Sequence, residues 1–250
     1  MKYNLLVLDV DGTIVRNQIT PLSKNVTKSI RKASKKIKIS LCTGRTKGAV
    51  KDLIKKFKIG DSYHVIEGGT KVLNPQGKYE YIKSLSYNDV LEIVKVAGNV
   101  PFNYGFCVDS QWVPNIEEAK YGTITNVSLN SNTKKQTEAI LIKVKILANK
   151  YHIAVGTHIN LPSGNHVLLT KKNASKEFGL KYIQRKTGIK KEETIGVGDM
   201  PNDLPIFKAV GFKVAMANGD IQLKKLADYI APSVDKDGLI EVIEKFILND

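Results

Sequence analysis

The chain has 250 residues, 42 % of them hydrophobic and 25 % charged, a globular composition with length enough for a proper core without metal or disulfide staples. Its formal net charge is +15, yet only four of its 39 basic residues are arginine. A lysine excess spread along the whole chain reads as compositional bias rather than a surface for bidentate contacts to bases, so no nucleic-acid partner is expected.

Two cysteines, Cys42 and Cys107, with no Cys/His cluster at zinc spacing, argue against a disulfide framework and fit a reducing cytoplasm. The apolar N-terminus is interrupted by Asp9 and Asp11, which speaks against a signal peptide, and no apolar run is long enough to cross a membrane. In chain order, Leu5–Asp9 reads as a buried parallel strand. A helix follows, with Thr20 as N-cap, Pro21 at the first helical position and Val26, Ile30 and Ala33 as its apolar stripe. Ile37–Cys42 is a second strand and Lys47–Phe57 a second helix. A third strand near Tyr63–Ile66 ends in Gly68-Gly69, and Val72–Gly77 predicts a hairpin turning on Asn-Pro-Gln-Gly.

From about Ser84 the rhythm becomes helix-strand-strand, twice. The elements are Asn88–Ala97, Phe102–Val108 and Thr123–Leu129, then Thr133–Asn149, Tyr151–Thr157 and His166–Thr170. Alternation resumes with a helix over Asn173–Thr187, the strand Thr194–Gly198, a helix over Asp203–Ala209, the strand Phe212–Ala215 and helices at Ile221–Ala227 and Leu239–Leu248. This pattern predicts a doubly wound α/β parallel sheet. Its core domain comes in two pieces, 1–83 and 166–250, with a smaller α+β domain, 84–165, inserted between them.

Three polar clusters each follow an apolar strand: Asp9-Val-Asp11-Gly12-Thr13, Thr43-Gly44-Arg45 and Gly198-Asp199-Met-Pro-Asn202-Asp203. Ligands of open α/β sheets bind beyond the carboxyl ends of the strands, so the three clusters are expected to share one crevice. Asp9, Asp11 and Asp199, with Asp203 beside them, cannot share a pocket as carboxylates without a cation or large pKa shifts. Oxygen ligands of this kind suit Mg²⁺, which in turn partners phosphate. Thr43 adds a hydroxyl donor, and the glycines admit an anion to backbone N–H groups.

On these residues the sequence resembles the haloacid dehalogenase superfamily of phosphotransferases. Asp9-x-Asp11-Gly12-Thr13 matches its first motif, Thr43-Gly44-Arg45 the second, Lys176 the third and Gly198-Asp199-x-x-Asn202-Asp203 the fourth. The insertion resembles a small C2 cap of type IIB, as in Cof-like sugar phosphatases, archaeal phosphoglycolate phosphatases and sucrose-phosphatase-like enzymes. The resemblance implies a Mg²⁺-dependent phosphatase of a small phosphorylated metabolite, a sugar phosphate or phosphoglycolate. Asp9 is then the nucleophile that becomes an aspartyl phosphate, and Asp11 the acid and base. Thr43 and Lys176 hold phosphoryl oxygens, with Gly12, Thr13, Gly44 and Arg45 lining the substrate site. The metal falls to Asp9, Asp11 through its carbonyl, and Asp199, supported by Asn202 and Asp203. Many relatives carry Asn-Gly after the third strand, where this chain has Glu67-Gly68-Gly69.

Outside the motifs, Cys42 reads as a packed core thiol and His64, His152 and His158 as packing or surface residues. His166 is the histidine singled out as a substrate contact, while Trp112 and Tyr104 read as packing of the inserted domain. Two alternatives stay open: a phosphomutase retaining a bisphosphorylated intermediate, and a non-catalytic lysine-rich binding module.

Overall fold

In a computed structural model the described residues are 2–16, 20–98, 104–157 and 165–249. They divide into two compact units, 1–81 with 176–250, and 82–175.

The first unit begins with β1 (Leu5–Leu8), α1 (Lys24–Ala33), β2 (Lys38–Leu41), α2 (Lys47–Phe57), β3 (His64–Ile66), β4 (Lys71–Leu73) and β5 (Tyr79–Ile82). α1 starts later than the Thr20 cap expected from Pro21. Ser23 is the cap, its hydroxyl accepting from the Val26 N–H at 3.4 Å, which satisfies one of the free donors of the first turn. The Asn74–Gly77 turn forms as expected, closed by the Gly77 N–H on the Asn74 carbonyl at 2.8 Å with Gly77 at φ +69°.

The second unit holds α3 (Tyr87–Ala97), β6 (Tyr104–Val108), β7 (Gln111–Val113), β8 (Ile124–Ser131), α4 (Lys134–Val144), β9 (Tyr151–Thr157) and β10 (Asn165–Lys171). These five strands form one sheet in the order β7-β6-β8-β10-β9, each neighbouring pair antiparallel. The sequence reading has no counterpart of strand β7. The unit extends through β10 to Ser175, where the sequence reading put its end at 165; β10 pairs along its length with β9. Val90, Ile93 and Ala97 of α3 and Ile140 and Val144 of α4 bury one face, against Phe106, Val127, Leu129, Val167 and Leu169. Tyr104 packs on this core as expected, but Trp112 is 47 % exposed, because β7 is an edge strand. Of the histidines, His158 lies outside the described residues.

The chain returns to the first unit with α5 (Lys176–Thr187), β11 (Thr194–Gly198), α6 (Leu204–Ala209), β12 (Phe212–Met216), α7 (Ile221–Leu226), β13 (Tyr229–Ala231) and α8 (Leu239–Ile243), the last continued by a wider turn to Leu248. Its sheet runs β13-β12-β11-β1-β2, every pair parallel. A bridge between Cys42 and Val65 carries the sheet on to β3, which pairs antiparallel with β4. Strand β13 likewise has no counterpart in the sequence reading.

Successive residues of β1 serve opposite faces. Leu6 and Leu8 pack with Val26, Ile30 and Ala33 of α1 and Val242 and Ile243 of α8. Leu5 and Val7 pack with Leu180 and Ile183 of α5 and Ile206 and Ala209 of α6. The all-apolar reading of β1 therefore reports a strand covered on both faces.

The start of α3 joins a cap to a buried charge. Ser86 and Asp89 form a reciprocal capping box, and the Asp89 carboxylate also accepts from Tyr151 at 2.7 Å and Lys171 at 3.0 Å. Burial works against the ionised Asp89, yet its bonds from Ser86, Tyr151 and Lys171 outweigh that and hold its pKa well below the usual carboxylate range. Asp89→Ala strands these donors and is expected to cost about 2–3 kcal/mol in urea unfolding followed by circular dichroism, against about 1 kcal/mol for Ser86→Ala.

Candidate active site

The strand order β11-β1-β2 sets the ends of three adjacent parallel strands side by side, and each end carries one of the polar clusters. β1 runs directly into Asp9, which is 6 % exposed, and its N–H donates to the Val197 carbonyl of β11 at 3.0 Å. After Asp9 the chain folds back so tightly that the Val10 carbonyl accepts from the N–H groups of Ile14 and Val15. Gly12 adopts φ +84°, and a β-carbon there would lie 2.0 Å from an Asp199 carboxylate oxygen. Only glycine meets both conditions.

Lys176, the first residue of α5, is 3 % exposed and donates to Asp9 Oδ1 at 2.7 Å and to Asp203 Oδ1 at 2.6 Å. The other oxygen of Asp203 accepts from the N–H groups of Asp199 and Met200 at 3.0 and 3.1 Å. Asp203 thus fastens the loop after β11 while it aims the lysine. Asp199 accepts from the Thr13 hydroxyl at 3.4 Å.

Carboxylate oxygens of Asp9, Asp199 and Asp203 lie within 4.8 Å of one another. Burial, then the charges of its neighbours, pushes the Asp9 carboxyl up to about 7, with Lys176 pulling the other way. Burial and the charge of Asp9 push Asp199 up to about 9. Burial disfavours the Lys176 ammonium, but Asp203 and Asp9 outweigh it and hold the ammonium charged. One ammonium facing three carboxylates leaves an excess of buried negative charge, which a divalent cation would relieve. The Asn202 side-chain oxygen is buried next to this cluster in sequence and has no hydrogen-bond partner among the described residues. Hard oxygen donors of this number and an orphaned carbonyl fit Mg²⁺.

On the β2 side, Thr43 is buried and its hydroxyl accepts from the Arg45 N–H at 3.2 Å. The Arg45 guanidinium grips Asp11 with both arms, Nε to Oδ2 at 2.9 Å and Nη2 to Oδ1 at 2.6 Å. At Gly44 the space beside the backbone is open. Asp9, Asp11, Gly12, Thr13, Thr43, Gly44, Arg45, Lys176, Asp199, Asn202 and Asp203 thus all sit on the loops and the α5 start that the topology gathers in this unit. His166 belongs to the second unit, on β10, where its ring fills the space above Gly156 of β9. Cys42 is a buried thiol whose pKa burial raises, in keeping with a packing role. Buried His64 accepts from the Leu41 N–H and is held neutral, its pKa lowered by burial to about 4.

A fourth strand end was missed by sequence reasoning. After β12, Asn218 donates to the Gly12 carbonyl at 2.9 Å and accepts from the Val234 N–H at 2.9 Å. The Asp220 N–H donates to the Asp199 carbonyl at 2.7 Å. The available signal was positional: Ala217-Asn218-Gly219 follows a parallel strand just as the other three clusters do.

The raised carboxyl pKa values fix a sign. In the metal-free protein Asp9 and Asp199 bind protons more tightly folded than unfolded, so their contribution is fully present below about 3.8, the unfolded value, and is lost as pH rises towards about 7 and about 9. With EDTA the melting temperature should therefore fall from pH 5 to pH 9, and Mg²⁺ should raise it more at the upper end, where no proton competes. Differential scanning fluorimetry across that range checks this.

Among known proteins, the family model of the haloacid dehalogenase-like hydrolases matches residues 6–243. A phosphoglycolate phosphatase of Staphylothermus marinus is 30 % identical over 97 % of this chain and 97 % of its own. A HAD/Cof-like hydrolase from Plasmodium vivax superposes with a TM-score of 0.84, at 20 % identity, over 100 % of this chain and 97 % of its own. A HAD subclass IIB sugar phosphatase superposes with a TM-score of 0.77, at 20 % identity, over 97 % and 98 %. With its strand-end carboxylates on a parallel core and an inserted α+β unit, the chain belongs to the haloacid dehalogenase-like hydrolase family.

Proposed function

We propose that the protein hydrolyses a small phosphorylated metabolite, a sugar phosphate or phosphoglycolate, through an aspartyl phosphate on Asp9. The observation that carries this reading is the buried Asp9–Lys176–Asp203 array at the end of β1. A carboxylate with little exposure, pinned through one oxygen by an ammonium, keeps its other oxygen directed and poorly hydrated, as a nucleophile requires. The Staphylothermus phosphoglycolate phosphatase and the subclass IIB sugar phosphatase point to the two candidate substrate classes.

In the first step a lone pair of Asp9 forms the bond to phosphorus while the bond to the leaving oxygen breaks. Asp11 delivers the proton that this oxygen takes up. In the second step Asp11, now a carboxylate, removes a proton from water, whose oxygen attacks phosphorus. Inorganic phosphate leaves and Asp9 returns as a carboxylate. Lys176 and the Thr43 hydroxyl hold phosphoryl oxygens, and Lys176 offsets the charge of Asp9 before attack. Arg45 orients Asp11 through its two-armed grip, which must open at one oxygen for that oxygen to carry the proton. Asp9, the Asp11 carbonyl, Asp199 and Asn202 would hold Mg²⁺, which when bound would supply the positive charge that a phosphoryl group needs beside a carboxylate nucleophile. Asp203 keeps the loop of Asp199 and the lysine in place.

Phosphate release from 4-nitrophenyl phosphate, sugar phosphates and 2-phosphoglycolate is the test. Turnover should require Mg²⁺, stop with EDTA and fall by roughly 10³-fold or more in Asp9→Asn. Isomerisation of a sugar phosphate that outruns phosphate release would replace hydrolysis by mutase chemistry, and no turnover by folded protein would refute an enzymatic role.

A further inference from the structure

We infer that Glu67 is a positioning residue: paired with Lys71 in the interior, it holds a left-handed turn that fixes the Thr43–Arg45 loop and, through Arg45, the carboxylate of Asp11. Glu67 and Lys71 are each only 2 % exposed. The ammonium lies 3.3 Å from one carboxylate oxygen and 3.2 Å from the other. Lys71 also sits 4.9 Å from the centroid of the Tyr79 ring, as does Lys47, an arrangement that stabilises a cation away from water.

The backbone explains why such a pair is placed here. Glu67, Gly68 and Gly69 have φ values of +50°, +70° and +102° in succession. The two glycines adopt them freely, but a glutamate does so rarely. A glutamate at positive φ carries a conformational cost that a side chain held from outside can offset. A buried carboxylate that would be left uncompensated if the turn relaxed is such a hold.

What the turn then grips is the loop after β2. The Glu67 N–H donates to the Arg45 carbonyl at 2.9 Å and the Gly68 N–H to the Thr43 carbonyl at 3.0 Å. The two bonds straddle Gly44, where a β-carbon would meet no neighbouring atom. Thr43 and Arg45 therefore take their places from the 67–69 turn, and Arg45 sets Asp11. This inference rests on the proposed role of Asp11 as the proton donor to the leaving oxygen.

The test is leaving-group dependence. The 4-nitrophenolate ion departs without a proton, while the more basic phenolate needs one. We would measure kcat and KM on 4-nitrophenyl phosphate and phenyl phosphate for the wild type, Glu67→Gln and Glu67→Ala/Lys71→Met. The double variant leaves no buried charge alone, so it guards against a folding failure of the single one, while its alanine keeps the cost of a left-handed residue and has no side chain to be held. Folding is checked by circular dichroism and melting temperature. We expect kcat on phenyl phosphate to fall about tenfold more than on 4-nitrophenyl phosphate, with KM within about twofold of wild type. Equal losses on both substrates, wild-type kinetics in the double variant, or a double variant that does not fold would assign the pair to the fold alone and overturn the inference. A wild type that turns over neither substrate would show a different failure, that of the phosphatase reading itself.

Discussion

The ammonium of Lys176 is the charge on which the rest of the candidate site depends. It is buried at 3 % exposure between Asp9 and Asp203, and an ammonium so placed exists only because carboxylates meet it on two sides. The dependence is mutual. Asp9 sits where burial and two further aspartates favour its protonated form, and Lys176 is the neighbour that pulls towards ionisation. Asp203, with its other oxygen on two backbone N–H groups, ties this balance to the position of the β11 loop. A displacement of α5 would therefore alter the proton affinity of Asp9 and the place of Asp199 together.

That coupling follows from topology more than from any local motif. β1 lies between β11 and β2, so the loops after those strands are neighbours by necessity, and α5 packs on the face that Leu5 and Val7 present. The close approach of Asp199 to Gly12 is the tightest expression of this arrangement. The two loops meet with no room for a side chain, and Asn218 closes the contact from a third direction by holding the Gly12 carbonyl.

The sequence made legible what repeats and what lies at strand ends. Apolar runs followed by polar clusters mark Asp9, Asp199 and Thr43 as strand-end residues, and the helix-strand-strand pairs mark the inserted unit. Length alone does not decide legibility, since β3 is as short as β7 and β13 and yet is read from the sequence. The cap of α1 moved to Ser23 because a serine side chain three residues before Val26 can reach its N–H, which outweighs the preference of Pro21 for a first turn. Asn218 escaped notice because its partners are a backbone carbonyl and a backbone N–H, which leave no mark on residue type at the other end. The ion pairs Asp11–Arg45 and Glu67–Lys71 differ for another reason. Each residue was visible, but which charge meets which is decided by the turn geometry between β2 and β3.

The turn at Glu67 ties a backbone conformation to a buried charge. A residue with a β-carbon at positive φ carries a cost, and contacts of its side chain can offset it. Here the hold is a cation drawn from the next strand, since Lys71 opens β4. β4 pairs with β3, and β3 bridges the end of β2 through Cys42 and Val65. The hairpin beyond the parallel sheet is thereby joined to the loop of Thr43 twice, once through strand pairing and once through a buried charge. Two independent attachments leave that loop few arrangements in which both are satisfied. A proton donor gripped from that loop by a planar guanidinium inherits the same restriction, which suits a group that must meet its acceptor within hydrogen-bond reach.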